Sequence, residues 1–159
     1  MIRFLQLSFA SLVLSLLLAW PGQVKAGDEQ TAQISIRVIY AVKGEVKSID
    51  PDLDDIKDEL KDLPASKFRL LDRLEVEVAL DGTIELQLPG KHSIGVKFQG
   101  IDILDNKKKK MLSLQLTIKP ALQINLRLTD AGRTLLGGPK HLEGTLILDV
   151  SAKLKEPKK

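Results

Sequence analysis

Between Gln33 and Val42 apolar and polar positions alternate almost without fault: Ile34, Ile36, Val38, Tyr40 and Val42 fall on one face, Ser35 and Arg37 on the other. This period of two predicts a half-buried strand, because successive side chains of a strand point to opposite faces. After Gly44 the period changes. Leu53, Ile56, Leu60 and Leu63 recur at steps of three and four behind Asp50-Pro51-Asp52, which offers a cap and a first-turn proline. The spacing predicts one short amphipathic helix over residues 51–63, ended by Pro64 and capping an open end of the fold.

From Phe68 the period of two returns. Leu74, Val76 and Val78 alternate with Glu75 and Glu77, Asp81-Gly82 has the composition of a hairpin turn, and Ile84, Leu86 and Leu88 follow in alternation. Pro89-Gly90 turns into Ile94, Val96 and Phe98, and the Asp105 to Lys110 stretch turns into Leu112, Leu114, Leu116 and Ile118. Leu122, Ile124, Leu126 and Leu128 make the next run, up to the turn Asp130-Ala131-Gly132. Arg133 to Leu136 and Thr145 to Ala152 complete the set. About eight short alternating strands with regular turn signals describe a mainly β chain, an antiparallel β-sandwich or an open barrel, since alternation buries one face and wets the other.

The N-terminus departs from this pattern. A charge at Arg3, a Leu-rich run from Phe4 to Trp20 and small residues at Val24-Lys25-Ala26 read as a signal peptide over residues 1–26. Its alternative is an uncleaved anchor, which Pro21-Gly22 and the polar Gly27-Asp28-Glu29 disfavour. Cleavage leaves 133 residues, one ordinary domain over 27–152 followed by a basic tail over 153–159, expected to be flexible, with four lysines. The expected address is the periplasm or the medium, without stable membrane insertion once the segment is removed.

Export removes Arg3 and Lys25, so the mature chain carries 22 basic against 21 acidic residues. This balance argues against a nucleic-acid partner, whose affinity would rest on a basic surface. The chain contains no cysteine, which excludes disulfide staples, a thiol nucleophile and a thiolate zinc site.

The remaining candidates for chemistry are weak. In "TLLGGPKHLEGTLIL", residues 134–148, the glycines lack the spacing of a phosphate loop, and Thr145 opens a strand where phosphate binding needs a helix. Gly137, Gly138 and Gly144 are expected to permit positive φ in a tight or bulged connection, with Lys140 and His141 as solvent-facing turn residues. The acidic run Asp50, Asp52, Asp54, Asp55, Asp58 and Glu59 fails the calcium-loop pattern, because Asp55 and Lys61 stand where glycine and glutamate are required. First-turn acids instead complement a helix dipole. His92 and His141 form no zinc-binding spacing, His92-Ser93 is no nucleophile elbow, and Glu75 with Glu77 reads as a solvated strand face. Lys107 to Lys110 reads as a solubilising turn, and the mature chain lacks the aromatic platforms of a nucleic-acid or sugar groove. No catalytic residue, cofactor or metal is expected.

The segments "LQINLRLTDAGRTLLGGP" and "GTLILDVSA", with "SKFRLLDR" upstream, resemble small exported proteins of unknown function in Gram-negative bacteria. The strand, turn, strand and double-glycine pattern is also distantly similar to the β-domain of outer-membrane secretins. The resemblance covers about the second half of the chain and implies an envelope-located β module; the chain is too short to be a secretin channel. Together these readings lead to a non-enzymatic exported β-sandwich acting as an interaction or accessory module of a cell-envelope assembly, with an envelope protein as partner. The alternative is a periplasmic small-ligand or lipid carrier, in which the strands would close around an apolar cavity.

Overall fold

A computed structural model describes residues 30–104, 109–120 and 122–155. The segment over residues 1–26 that the sequence reads as a signal peptide, Lys107 and Lys108, and the last four residues lie outside the described residues. The fold is a two-sheet β-sandwich with one short helical segment. β1 (Thr31–Val42) leads to a two-residue β2 (Ser48–Ile49), then to a 3-10 turn Pro51–Ile56 that runs into α1 (Lys57–Lys61). β3 (Lys67–Ala79), β4 (Thr83–Leu88), β5 (His92–Leu104), β6 (Lys109–Ile118), β7 (Leu122–Thr129), β8 (Gly132–His141) and β9 (Gly144–Lys155) follow.

One sheet has the order β2-β3-β1-β9-β8, the other β4-β5-β6-β7. All pairings are antiparallel except β2 with β3. Asp81-Gly82 is therefore no hairpin turn. β3 and β4 belong to different sheets, and this connection switches the chain between them, as does Asp130-Ala131-Gly132 between β7 and β8. The local turn chemistry is that of a hairpin, with Asp81 at φ 61°. What differs is the strand that follows, which turns away to cover the opposite face of the core.

Between the sheets the even positions of β1, Ile34, Ile36 and Val38, meet Ile94, Val96 and Phe98 of β5 and Leu112, Leu114 and Leu116 of β6, all wholly buried. These buried side chains from both sheets form one core, so the region where a barrel carrier would hold its cargo is filled by side chains. Leu146, Leu148 and Val150 of β9 complete this core.

A second core lies on the outer face of the five-stranded sheet. The β1–β3 pairing shifts register between Val38 and Ile39, and beyond it Ile39 and Ala41 are buried on the outer face, with Phe68 and Ile147, under Leu53, Ile56 and Leu60. Strict one-face alternation fails here because both faces of β1 are covered. The helical segment thus lies against a sheet and does not cap an open end. Its eleven residues are too short to stand alone. Three wholly buried aliphatic side chains, at roughly 1.5–3 kcal/mol each, hold it down.

The C-terminal strands are longer than their alternation suggests. β8 continues through Gly137, Gly138 and Pro139 to His141, with a register shift between Gly137 and Lys140 against β9. β9 runs to Lys155, whose residue pairs with Thr31 and whose ammonium reaches Glu77 at 2.6 Å. Lys153 to Lys155 belong to the sheet.

Candidate functional site

Four features carry most of the chemistry on the described surface, and all touch the five-stranded sheet. The first is an ionic network on its outer face. Arg37 and Asp149 are register partners on β1 and β9, and the Arg37 Nε donates to Asp149 Oδ2 at 2.7 Å. Arg37 also donates twice to Asp55 at 2.8 and 3.0 Å, tying the helical segment to the sheet. Arg133 of β8 reaches Asp55 at 3.0 Å and lies 3.6 Å from Asp149. Hydrogen bonding from Arg37, above all, lowers the Asp55 carboxyl to about 2, against some desolvation, while Asp55 raises the Arg37 guanidinium. Asp149 is buried, and its Oδ1 accepts no hydrogen bond.

The aspartates of the acidic run around the helix have such partners. Asp50 accepts from the Asp52 and Leu70 amides, Asp52 faces Arg73, Asp54 faces Lys57, and Asp58 accepts from Lys61 at 2.8 Å. Among the described residues no group of three or more potential ligands could hold a metal ion, and no helix is long and apolar enough to cross a membrane.

The second feature brings together the two histidines, which sequence reasoning treated separately. His92 opens β5 and His141 closes β8, so they come from opposite sheets. The His141 ring stands edge-on to Tyr40 at 5.7 Å, and the Arg69 guanidinium covers the same Tyr40 ring at 5.9 Å. His92 Nε2 lies 3.3 Å from the Lys140 carbonyl, which accepts its proton when that nitrogen carries one. Gly90, at φ +82°, lets the β4–β5 turn pass close to both rings. Ser93 and His92 assemble no nucleophile with any buried carboxylate, because Asp149, the one buried among the described residues, is held by Arg37 and Arg133.

Third, the double-glycine segment is a strand end with a bulge. Gly137, Gly138 and Gly144 do not have positive φ; among described glycines only Gly90 does. The tight loop is Leu142-Glu143, with Leu142 at φ 49°, and Lys140 and His141 precede it in β8. Gly138 and Gly144 are needed for close approach. A Cβ on Gly138 would meet the Leu146 carbonyl at 3.0 Å, and one on Gly144 would collide with the Ala41 carbonyl and the Tyr40 ring. Gly137 differs: a Cβ there would meet nothing within 4 Å.

Gly137 opens onto the fourth feature, a groove of about 680 Å³ on the outer face of the sheet at its β8–β9 hairpin end. The groove has buried Ala41 and Ile147 beneath it, half-buried Leu63, Ala65 and Leu135 along it, and exposed Lys43, Lys140, Leu142 and Glu143 around it. It adjoins β8, which pairs only with β9 and leaves a free edge among the described residues. The two-residue loop makes His141 and Gly144 the hydrogen-bonded closing pair, and alternation then turns the backbone groups of Arg133, Leu135 and Gly137 outward. The sequence signal for this groove was the Gly-Gly pair itself, but its meaning depends on which cross-strand neighbours surround each glycine. Comparison with known proteins finds no family model, no curated protein and no solved structure that matches the chain.

Proposed function

We propose that the protein is a non-enzymatic, exported β-sandwich that serves as an interaction module of a cell-envelope assembly, taking an extended segment of a partner protein along β8. The observation that supports this reading is the free β8 edge, where the backbone of Arg133, Leu135 and Gly137 faces outward. Unpaired edge groups are a template for strand addition, in which main-chain hydrogen bonds supply affinity and adjoining pockets supply selectivity. The edge is short and interrupted by Pro139 and a bulge, which limits unspecific pairing and leaves one register of outward groups. Packed intersheet side chains disfavour a carrier with its cargo inside the sandwich.

Site-specific photo-crosslinking in the intact envelope tests the reading. A crosslinking side chain at position 133 or 135 is expected to give one discrete adduct with another protein. The same group at Lys97, on the central strand β5 of the opposite sheet, is expected to give none. Identical adducts from all three positions, or none from any, would overturn the assignment.

A further inference from the structure

Gly137 poses a question that backbone geometry does not answer. Its φ is not positive, nothing crowds its missing Cβ, and it sits inside a strand, where glycine is less favourable than alanine. Its cross-strand partner is Ile147, buried in the outer core. What the absent side chain does is leave the groove open beside Ile147 and Leu135.

The groove is mostly aliphatic, and its charges are confined to exposed residues. Ala41, Leu63, Ala65, Leu135 and Ile147 offer no side-chain polar atom, and Thr145 is the one half-buried lining residue that does. An occupant therefore finds few polar side chains with which to satisfy polar groups along its length. At the rim two ammonium groups, Lys43 and Lys140, stand against the single carboxylate of Glu143. The volume falls inside the roughly 300–1,000 Å³ range of small-molecule sites.

We propose that this groove binds a single aliphatic chain with an anionic head group: the chain lies over Gly137 and the head group meets Lys43 and Lys140. The site is on the sheet face, adjoins the β8 edge through Leu135 and Gly137, and does not rest on strand addition there. Each methylene removed from water adds to the affinity, so a chain of moderate length suffices for measurable binding, and the lysines choose the head group.

Titration calorimetry with three twelve-carbon probes below their micelle concentrations tests it: dodecanoate, dodecyltrimethylammonium and dodecyl maltoside. Dodecanoate is expected to bind one to one and at least tenfold more tightly than the cation. Gly137→Leu fills the groove and is expected to weaken dodecanoate at least tenfold with an unchanged thermal midpoint. Lys43→Ala with Lys140→Ala is expected to abolish the preference for the anion while retaining dodecyl maltoside binding, which keeps the proposal falsifiable if Gly137→Leu does not fold. Equal affinity for all three head groups, no saturable dodecanoate binding, or full binding by folded Gly137→Leu would overturn it. Loss of the position-135 crosslink in Gly137→Leu without any dodecanoate binding would overturn it too, and would assign the groove to a partner's apolar side chain.

Discussion

Arg37 and Asp149 face each other across β1 and β9, and the buried carboxylate of Asp149 takes its hydrogen bond from Arg37 alone, through one oxygen. The guanidinium shares its remaining donors with Asp55, so one side chain joins two strands and the helical segment. A half-paired ion is costly once its partner is gone, because desolvation is no longer offset. Arg37→Ala, which leaves the Asp149 carboxylate buried without its hydrogen-bond donor, is expected to lower stability by about 3 kcal/mol or more, read as a lower urea midpoint. Asp55→Ala, at a half-exposed position, is expected to cost under about 1 kcal/mol. Equal costs would show that the burial of Asp149 does not govern the network.

Asp55 also sets an acid limit. Its folded carboxyl titrates at about 2 and its ordinary value is 3.8, so the folded state binds its proton less readily than the unfolded chain. The contribution is fully present above about pH 4 and is lost as pH falls through 3.8 towards 2. Its size is limited because Asp55 is half exposed to solvent. Asp55→Asn is therefore expected to flatten the stability loss between pH 4 and pH 2. A pH profile parallel to that of the parent protein would count against the Arg37 contact.

Alternation carried the strands because each buries one face: Leu112 to Ile118 and Ile94 to Phe98 lie where the period of two puts them. It failed where a second layer exists. Ile39 and Ala41 look like interruptions of β1 until Leu53, Ile56 and Leu60 are laid on them. Sheet membership was not legible either, because Asp81-Gly82 has the same local chemistry whether the next strand pairs back or crosses over. The groove was hidden for a related reason. Gly137 and Gly138 are adjacent and identical in sequence, and only their cross-strand surroundings separate them.

That separation is measurable. Gly138→Ala forces a Cβ against the Leu146 carbonyl at 3.0 Å and is expected to cost about 1 kcal/mol or more. Gly137→Ala meets open space at ordinary strand φ and is expected to be neutral or stabilising, by up to about 1 kcal/mol, through the unfolded chain. Similar losses at both positions in thermal unfolding would mean that the bulge, and not the cross-strand contacts, dictates both glycines.

If residues 1–26 are a signal peptide cleaved after Ala26, the mature chain starts at Gly27 and has lost Trp20, the single tryptophan. Protein recovered from the envelope is expected to show tyrosine emission from Tyr40 alone. Tryptophan emission from that material would establish that the apolar segment is retained as an anchor.

The last expectation concerns His141, which sequence reasoning placed in an inert turn. Its ring stands edge-on to Tyr40 of β1 at 5.7 Å, while the backbone beside it, the Lys140 carbonyl, faces His92 from the opposite sheet. The hairpin end of β8 is thus tied both to its own sheet and across the sandwich. An edge-on ring pair contributes about 0.5–1.5 kcal/mol beyond the area it buries. His141→Ala is expected to cost about 1 kcal/mol, and Lys140→Ala almost nothing, because Lys140 makes its inter-sheet contact through the backbone. A double-mutant cycle of His141→Ala with Tyr40→Leu isolates the ring pair, with a coupling of at least about 0.5 kcal/mol expected. Additive losses, or a Lys140→Ala cost equal to that of His141→Ala, would mean that the side chains at this end of β8 are interchangeable turn residues after all.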